Sequence, residues 1–375
     1  MDKPVQVAVV RSDRRRGAVA EALSLIAPDL GECVGRDPNP VVIPDLEHPG
    51  RPWSCTHRDT LSAALDAILA ADASSVSIVG GPASAQDESG HPVQKLGYSG
   101  EFWGRYVRFA GLDPANGLWS TIRWIGPGGE PFSFRANPLV AASRCRISLA
   151  VAKTHETFRL ALGLANLVGA IHPEDRASVV RRRAGSGPGM GSRVAAILES
   201  GRGMLVDSWL ALRSVSGGMR LTGRERRHVD AVEQATGRLA TLAAFLKPAV
   251  SVVDGFSAMH GEGPRHGRRV ALNTVVAGTD PVAVDAVAAT IMGFEPNELA
   301  LLREAQALGL GTADLARITI VGDPVARVRR KVRPHSADPL LRLAGRTEAG
   351  QTAVRRPHFG RQTAPRREGL DAHRH

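Results

Sequence analysis

The sequence predicts a two-lobed α/β protein with mostly parallel sheets and flanking helices. Short apolar runs alternate along the chain with segments of helical periodicity, which is typical of β-α units. A length of 375 residues exceeds that of one ordinary domain, and 43% hydrophobic against 23% charged residues indicates a globular chain. We therefore place an N-terminal α/β lobe at residues 1–145, a C-terminal α/β lobe at 146–324 and a tail at 325–375.

The N-terminal lobe begins with the apolar run VQVAVV, which predicts its first strand. Further along, Leu61, Ala64, Leu65 and Ile68 recur at helical spacing and share one apolar face. The predicted strands of this lobe are 5–10, 40–43, 76–79 and 118–125, and its predicted helices are 18–27, 61–69 and 102–109.

The C-terminal lobe continues the alternation with the apolar runs ISLAVA and AVSVV. Asp280 precedes Pro281, a pairing that predicts an N-cap and the first turn of a helix. The predicted strands are 146–152, 249–253, 270–277 and 318–321, and the predicted helices are 157–171, 235–245, 282–292 and 298–308.

The positive charge of the chain is concentrated in its tail. Residues 325–375 hold 13 Lys and Arg against 4 Asp and Glu, which accounts for most of the net charge of +11. Few large apolar residues accompany these charges, so the tail is predicted to be disordered. It is either a solubilising extension or a segment that contacts nucleic acid or anionic lipid through phosphate groups.

Cysteine content and hydropathy limit the compartment and the cofactors. Three widely spaced cysteines form neither a disulfide framework nor a zinc or iron–sulfur motif. The longest uncharged apolar stretch, residues 160–171, is shorter than the roughly 20 residues of a membrane span. We expect a cytoplasmic protein with no membrane association and no iron–sulfur cluster, and the sequence specifies no other cofactor and no oligomeric state.

Polar residues follow three of the predicted strands, where open α/β sheets bind ligands. Lys153, Thr154 and His155 follow ISLAVA, and Asp254 follows AVSVV. Thr279, Asp280 and Asp285 follow the third of them, VALNTVVAG. Lys153 is interpreted as an anchor for an anion, or as a base if burial lowers its pKa, and the alternative is a solvated strand end. His155 is interpreted as a proton shuttle, and the alternative is a cap for the following helix.

The segment HGEGPRHG, residues 260–267, combines glycines with polar side chains. Backbone amides near Gly261 and Gly263 are candidates for an anion nest, and His266 is a further candidate ligand contact. Turn chemistry explains the glycines equally well. His260, Glu262 and His266 offer ligands for a divalent ion as an alternative, but the spacing matches no established zinc motif, so no metal is assigned.

Two polar residues interrupt apolar helices and need an explanation. Asp285 lies among Val282, Val284 and Val287, so its charge must be paired or must face a cavity. Asn166 lies within LALGLANLVGAI and is either a ligand contact or an amide satisfied by the backbone.

Three segments, in this order, resemble the family catalogued as domain of unknown function 362. They are AKTHETFRLALGLANLVGAIHP, VVDGFSAMHGEGPRHG and AGTDPVAVDAVAATIMGFEP. The resemblance implies an α/β fold and, in some members, iron–sulfur clusters whose cysteines are missing here. Lysines typical of the family are replaced by Ile43, Val151 and Ala165, and Asp45 stands where the family typically has asparagine. If those lysines hold an anionic ligand in relatives, this protein uses arginines, binds a less charged ligand or has lost the activity.

The leading functional hypothesis is an enzyme that binds a small, anionic molecule between the two lobes. Lys153 anchors or activates the ligand, His155 transfers protons, and Asp254 and Asp285 orient them. Ligand-binding roles are assigned to Thr154, Asn166, Gly261, Gly263, His266 and Asp280. The alternatives are a non-catalytic small-molecule-binding or scaffold protein, and a protein that contacts nucleic acid through its tail.

Overall fold

The computed structural model describes residues 4–48, 50–81, 96–98, 106–111, 119–125, 131–180 and 223–342. The strands within these ranges are β1 Val5–Arg11, β2 Val41–Pro44, β3 Val76–Gly80, β4 Val107–Gly111, β5 Ser120–Ile125, β6 Pro131–Ala136, β7 Arg146–His155, β8 Arg159–Ala161, β9 Val250–His260, β10 Arg268–Val270, β11 Thr274–Gly278 and β12 Ile318–Gly322. The helices are α1 Arg15–Leu25, α2 Ala27–Arg36, α3 Arg58–Ala70, α4 Pro138–Ala142, α5 Gly163–Asn166, α6 Pro173–Val180, α7 Gly223–Leu246, α8 Pro281–Ile291, α9 Ala300–Ala307, α10 Val325–Val328 and α11 Asp338–Leu341.

A mixed, mostly parallel sheet of ten strands organises the fold. Its order is β12-β1-β11-β9-β7-β2-β3-β4, with β10 added to β9 and β8 added to β7. The run from β9 to β4 is parallel throughout, whereas β11 is antiparallel to both β1 and β9. Strands β5 and β6 form a separate antiparallel pair.

Both faces of the sheet are covered, which explains why its strands are continuous apolar runs. In β1, Val7 and Val9 enter one core while Ala8 and Val10 enter the other. We call the side that packs against α1, α2 and α3 the α3 face. The opposite side packs against α5, α7, α8 and α9, and we call it the α8 face.

The chain reverses its direction of winding between β2 and β7. From β2 it passes through α3 on the α3 face to β3, on one side of β2. From β7 it passes through α5 and α7 on the α8 face to β9, on the other side. In open α/β sheets a ligand crevice forms at such a switch point, outside the carboxyl ends of the strands.

The α/β class predicted from the sequence is confirmed, with one sheet that contains strands from both predicted lobes. Strands β1 to β4 come from residues 1–145 and β7, β9, β11 and β12 from residues 146–324, and β2 pairs directly with β7. The sheet is thus continuous across residue 145, and the division into two lobes stays a prediction.

Two predicted helices are wrong where the structure describes them. Residues 159–161 form β8, which folds back on β7, and only Gly163–Asn166 of the predicted helix 157–171 is α-helical. The hairpin forms because Arg159 adopts a left-handed φ of 67°, which a helix does not accommodate. Residues 107–109, the end of the helix predicted at 102–109, belong to β4 beside β3, while residues 102–105 lie outside the described residues.

The predicted tail packs against the sheet domain over its first 18 residues, so the prediction of disorder is corrected there. Val328, Val332 and Leu341 are buried. The carboxylate of Asp338 accepts a hydrogen bond of 2.6 Å from Arg159, and both residues are buried. Residues 343–375 lie outside the described residues. In the part of the chain that the structure describes, no helix combines the length and the apolarity needed to cross a membrane.

Candidate functional site

The carboxyl ends of β2, β3, β7 and β9 lie along one edge of the sheet, because these strands are mutually parallel. Asp45 directly follows β2, and Lys153 lies near the end of β7. We call this place the β2–β7 edge and define it by Asp45, Glu47, Lys153 and His155. It coincides with the switch point of the sheet.

A buried ion pair joins the two strands at the β2–β7 edge. The ammonium nitrogen of Lys153 lies 2.9 Å from Oδ1 and 2.7 Å from Oδ2 of Asp45. The side chains are 1% and 9% exposed, respectively, and Oε2 of Glu47 lies 3.9 Å from the same nitrogen. Lys153 is therefore held by carboxylates, and the alternative of a solvated strand end is wrong.

The charged groups at this edge determine one another's protonation states. Burial acts to lower the pKa of Lys153, but the carboxylates of Asp45 and Glu47 outweigh it and raise that pKa above its ordinary value. Burial acts to raise the pKa of Glu47, but nearby His48 and Lys153 lower it well below its usual range. At neutral pH Lys153 is a cation and Glu47 an anion, so Lys153 does not serve as a base.

His155 is held as a neutral imidazole at the end of β7. Its Nδ1 accepts hydrogen bonds from the backbone amides of Thr157 at 3.0 Å and Phe158 at 3.3 Å. Its ring stacks on Phe158 with centroids 4.8 Å apart, and desolvation lowers its pKa to about 4. Since Nδ1 is an acceptor, the ring proton is on Nε2, for which the described residues provide no hydrogen-bond acceptor.

Arg176 connects separate backbone segments through hydrogen bonds. Its guanidinium donates to the carbonyls of Ile171 at 3.2 Å, Gly81 at 3.0 Å and Gly169 at 3.0 Å. Burial lowers its pKa to about 10, and the charge of Glu47 acts in the opposite direction. Arg176 therefore stays charged at neutral pH and links the residues after β3 to the segment that follows α5.

Asp254 lies on the α3 face, where it contacts Arg15, Thr60 and Phe256. Its Oδ2 accepts a hydrogen bond of 2.6 Å from the Thr60 hydroxyl and lies 3.2 Å from Nε of Arg15. Its Oδ1 accepts from the backbone amide of Phe256 at 2.8 Å, and the Arg15 guanidinium lies over the Phe256 ring. The carboxylate is 1% exposed and orients these partners.

Asp285 lies on the opposite face of the sheet from Lys153, so the prediction that both line one hollow is corrected. Its two oxygens accept from the backbone amides of Gly163 at 2.8 Å and Leu164 at 3.0 Å, which caps α5. Burial raises its pKa to about 7. Lys153 instead lies two and four residues beyond Val151 and Leu149 on β7, and Leu149 belongs to the core of the α3 face together with Cys55, whose thiol Lys153 influences electrostatically.

Asn166 and Asp280 satisfy backbone and side-chain groups within the fold. The amide nitrogen of Asn166 donates to the Ile43 carbonyl at 2.8 Å and to the Ser148 hydroxyl at 3.0 Å, on the α8 side of β2 and β7. Asp280 caps α8, as predicted, by accepting from the amides of Val282 and Ala283. Neither side chain reaches the β2–β7 edge.

The amides of Gly261 and Gly263, in the loop after β9, already donate to backbone carbonyls. The interpretation as an anion nest is therefore corrected. The amide of Gly261 donates to the Arg333 carbonyl and that of Gly263 to the Gly261 carbonyl, each at 2.8 Å. The Thr154 hydroxyl donates to the Gly261 carbonyl at 2.8 Å. His266 is exposed. The loop thus packs against the end of β7 and the segment after α10.

The predicted residues that meet at the β2–β7 edge are therefore Lys153 and His155, and their partners Asp45, Glu47 and Arg176 were not predicted as site residues. Asp45 follows a predicted strand, the same signal that identified Lys153, and that signal extends to Glu47. Arg176 gives no such signal, because it follows no predicted strand and its contact with the Gly81 carbonyl joins residues 95 positions apart. Among the described residues, no group of three or more His, Cys, Asp or Glu is arranged to hold a metal ion.

The chain matches one protein family and, distantly, several solved structures. The pattern of the family described as Domain of unknown function (DUF362) matches residues 41–290. The lactate racemase apoprotein from Thermoanaerobacterium thermosaccharolyticum is 15% identical with a TM-score of 0.41, over 82% of this chain and 57% of that one. A structural-genomics protein from Thermotoga maritima is 14% identical with a TM-score of 0.37, over 70% of this chain and 56% of that one. The chain thus spans little more than half the length of each, and no curated protein matches it.

Proposed function

We propose that this chain, which belongs to the DUF362 family, is an enzyme that binds a small anionic molecule at the β2–β7 edge. One observation carries the proposal: a buried Lys153–Asp45 pair and a neutral His155 lie together at the switch point of the sheet. Titratable groups whose pKa values are displaced in opposite directions are characteristic of sites that transfer protons.

The roles follow from exposure and charge. Lys153 is 1% exposed and fully engaged, so it is a positioning residue that fixes Asp45 and the end of β7. The Nε2 proton of His155 is the donor offered to a ligand oxygen. The side chain of Glu47 is 35% exposed, which makes it the accessible carboxylate and the hydrogen-bond acceptor for a ligand hydroxyl.

The balance of charge at the edge argues against a ligand with more than one negative charge. Lys153 and Arg176 contribute two positive charges, and Asp45 and Glu47 contribute two negative charges, so the four cancel. A carboxylate is then held by hydrogen bonds rather than by an excess of positive charge. A neutral His155 can polarise a carbonyl oxygen, a role that histidines with lowered pKa values take in other enzymes.

The experiment compares two site variants with a surface control. His155→Asn keeps an acceptor for the amides of Thr157 and Phe158 but removes the Nε2 proton, and Glu47→Gln removes the carboxylate. His266→Asn makes the same change at an exposed histidine. Thermal shifts are measured for the wild type and each variant across a set of small carboxylic acids, and NMR follows any compound that binds.

Compounds that stabilise the wild type and His266→Asn but neither site variant support the binding site, and their conversion supports an enzyme. Binding without conversion favours the rival function, a non-catalytic small-molecule-binding protein. Shifts that are equal in all four proteins would refute the site.

A further inference from the structure

We propose that a cavity lined by arginines, remote from the β2–β7 edge, binds the phosphoryl group of a small phosphorylated molecule. The cavity has a volume of about 210 Å³ and lies where the end of β1, the β10–β11 connection and the segment after α10 meet. It is lined by Arg11, Ala271, Leu272, Asn273, Arg327, Val328, Arg329 and Arg330.

The cavity holds more positive than negative charge. Arg329 lies 3.4 Å from Glu295, and Asp323 accepts a hydrogen bond from the backbone amide of Arg11. Within the described ranges no carboxylate lies within 4.0 Å of the guanidinium groups of Arg11, Arg327 or Arg330. Counting both acidic residues against the four arginines leaves two positive charges without a counterion.

Two of these guanidinium groups, those of Arg330 and Arg11, are held by backbone carbonyls before any ligand arrives. Nη1 of Arg330 donates to the Ala271 carbonyl at 2.7 Å, and Nη1 of Arg11 lies 3.5 Å from the Arg327 carbonyl. The buried side chain of Val328 anchors the segment that carries Arg327. A preorganised guanidinium loses less entropy when it binds an anion than a mobile one does.

Two neighbouring features are consistent with an anion site. Asn273 lines the cavity with a left-handed φ of 50°, and strained non-glycine backbone occurs preferentially at ligand sites. Desolvation and then the charges of Arg333, Arg268 and Arg330 lower the pKa of His260, which shows that the positive potential extends along this surface.

Size and chemistry together select the ligand. Guanidinium groups match phosphate oxygens in pairs, and two uncompensated charges suit a doubly charged phosphate monoester. Sites for drug-sized molecules and cofactors span about 300–1,000 Å³, so this cavity suits a phosphoryl head rather than a whole nucleotide. The monoanion at the β2–β7 edge is a separate ligand, and the two proposals stand independently.

The test uses the full chain and isothermal titration with inorganic phosphate and glycerol phosphate. Arg327→Ala/Arg330→Ala removes two guanidinium groups, and Arg327→Ala alone spares the bond to the Ala271 carbonyl, so one variant remains if the double variant is unstable. The control is Arg317→Ala, an exposed arginine at the opposite end of β12 from Asp323. A parallel titration uses a single-stranded oligonucleotide at two salt concentrations.

We expect phosphate and glycerol phosphate to bind the wild type and Arg317→Ala equally, and to bind Arg327→Ala and the double variant at least tenfold more weakly. Equal affinity in all four proteins, or no binding to the wild type, would overturn the proposal. Binding of the oligonucleotide that phosphate does not displace and that weakens steeply with salt would also overturn it, in favour of nucleic-acid contact.

Discussion

Replacing Lys153 with Met removes the cation from a carboxylate that the fold has already buried. The pair has nitrogen–oxygen distances of 2.9 and 2.7 Å, and the remaining contacts of Asp45 to the amides of Glu47 and Val151 are longer, at 3.4 Å. Breaking a buried ion pair from one side costs about 3–5 kcal/mol, because the other charge is left without a partner. We expect that loss in the free energy of unfolding measured with urea.

A double-mutant cycle separates the interaction energy of Lys153 with Asp45 from the loss of packing. Asp45→Asn/Lys153→Met removes both charges and is expected to regain at least about 2 kcal/mol relative to Lys153→Met. The control, Lys247→Met, makes the same change at an exposed lysine and is expected to alter stability by less than about 0.5 kcal/mol.

The stability difference between the wild type and Lys153→Met should depend on pH in a defined direction. The pKa of Lys153 is raised in the folded protein, so its contribution is fully present below pH 10.5 and is lost as pH rises through the raised value. The wild type should therefore exceed Lys153→Met by a constant margin from pH 6 to 9. A cost below about 1 kcal/mol, or single-variant costs that simply add in the double variant, would refute the reasoning.

Two further predictions concern the α8 face. Burial raises the pKa of Asp285 to about 7, so between about pH 4 and 7 the native state binds more protons than the unfolded chain and loses stability as pH rises. The unfolding free energy of the wild type minus that of Asp285→Asn should therefore fall across this range. A difference that does not change with pH would contradict this prediction. Gly163→Ala places a Cβ 2.9 Å from Oδ1 of Asp285 and 3.2 Å from the Ser251 hydroxyl, for an expected loss of about 1–3 kcal/mol by thermal or urea unfolding. The same change at Gly31 in α2 meets no atom within 4 Å and should gain roughly 0.4–1 kcal/mol, so equal effects at the two positions would refute the steric argument.

Local pattern predicted much of the fold because the strands of this sheet are apolar on both faces. The runs at β1, β3 and β7 were predicted for that reason, and Asp280 caps α8 as its position before a proline indicates. The helix predicted at 157–171 failed because its apolar periodicity does not register the left-handed turn at Arg159.

Part of the candidate site could be predicted from the sequence, and the rest depends on the three-dimensional arrangement of the strands. Lys153 and His155 were identified because they end a strand, and the same reasoning applied to β2 leads to Asp45. The face on which a side chain lies depends on the order of strands, which local sequence does not encode. Asp285 was therefore placed beside Lys153, although α8 packs on the other side of the sheet. The contact of Arg176 with the Gly81 carbonyl, 95 residues away, has no counterpart in the sequence pattern.

The position of β1 bears on how the protein can be dissected. The family match begins at residue 41 and ends at 290, yet β1 and β12 pair beyond those limits and β1 covers one side of β11. A recombinant fragment trimmed to the matched residues would convert β11, buried along its whole length, into an unprotected apolar border that recruits other chains. The cooperative folding unit of this protein is therefore larger than the signature by which its family is recognised.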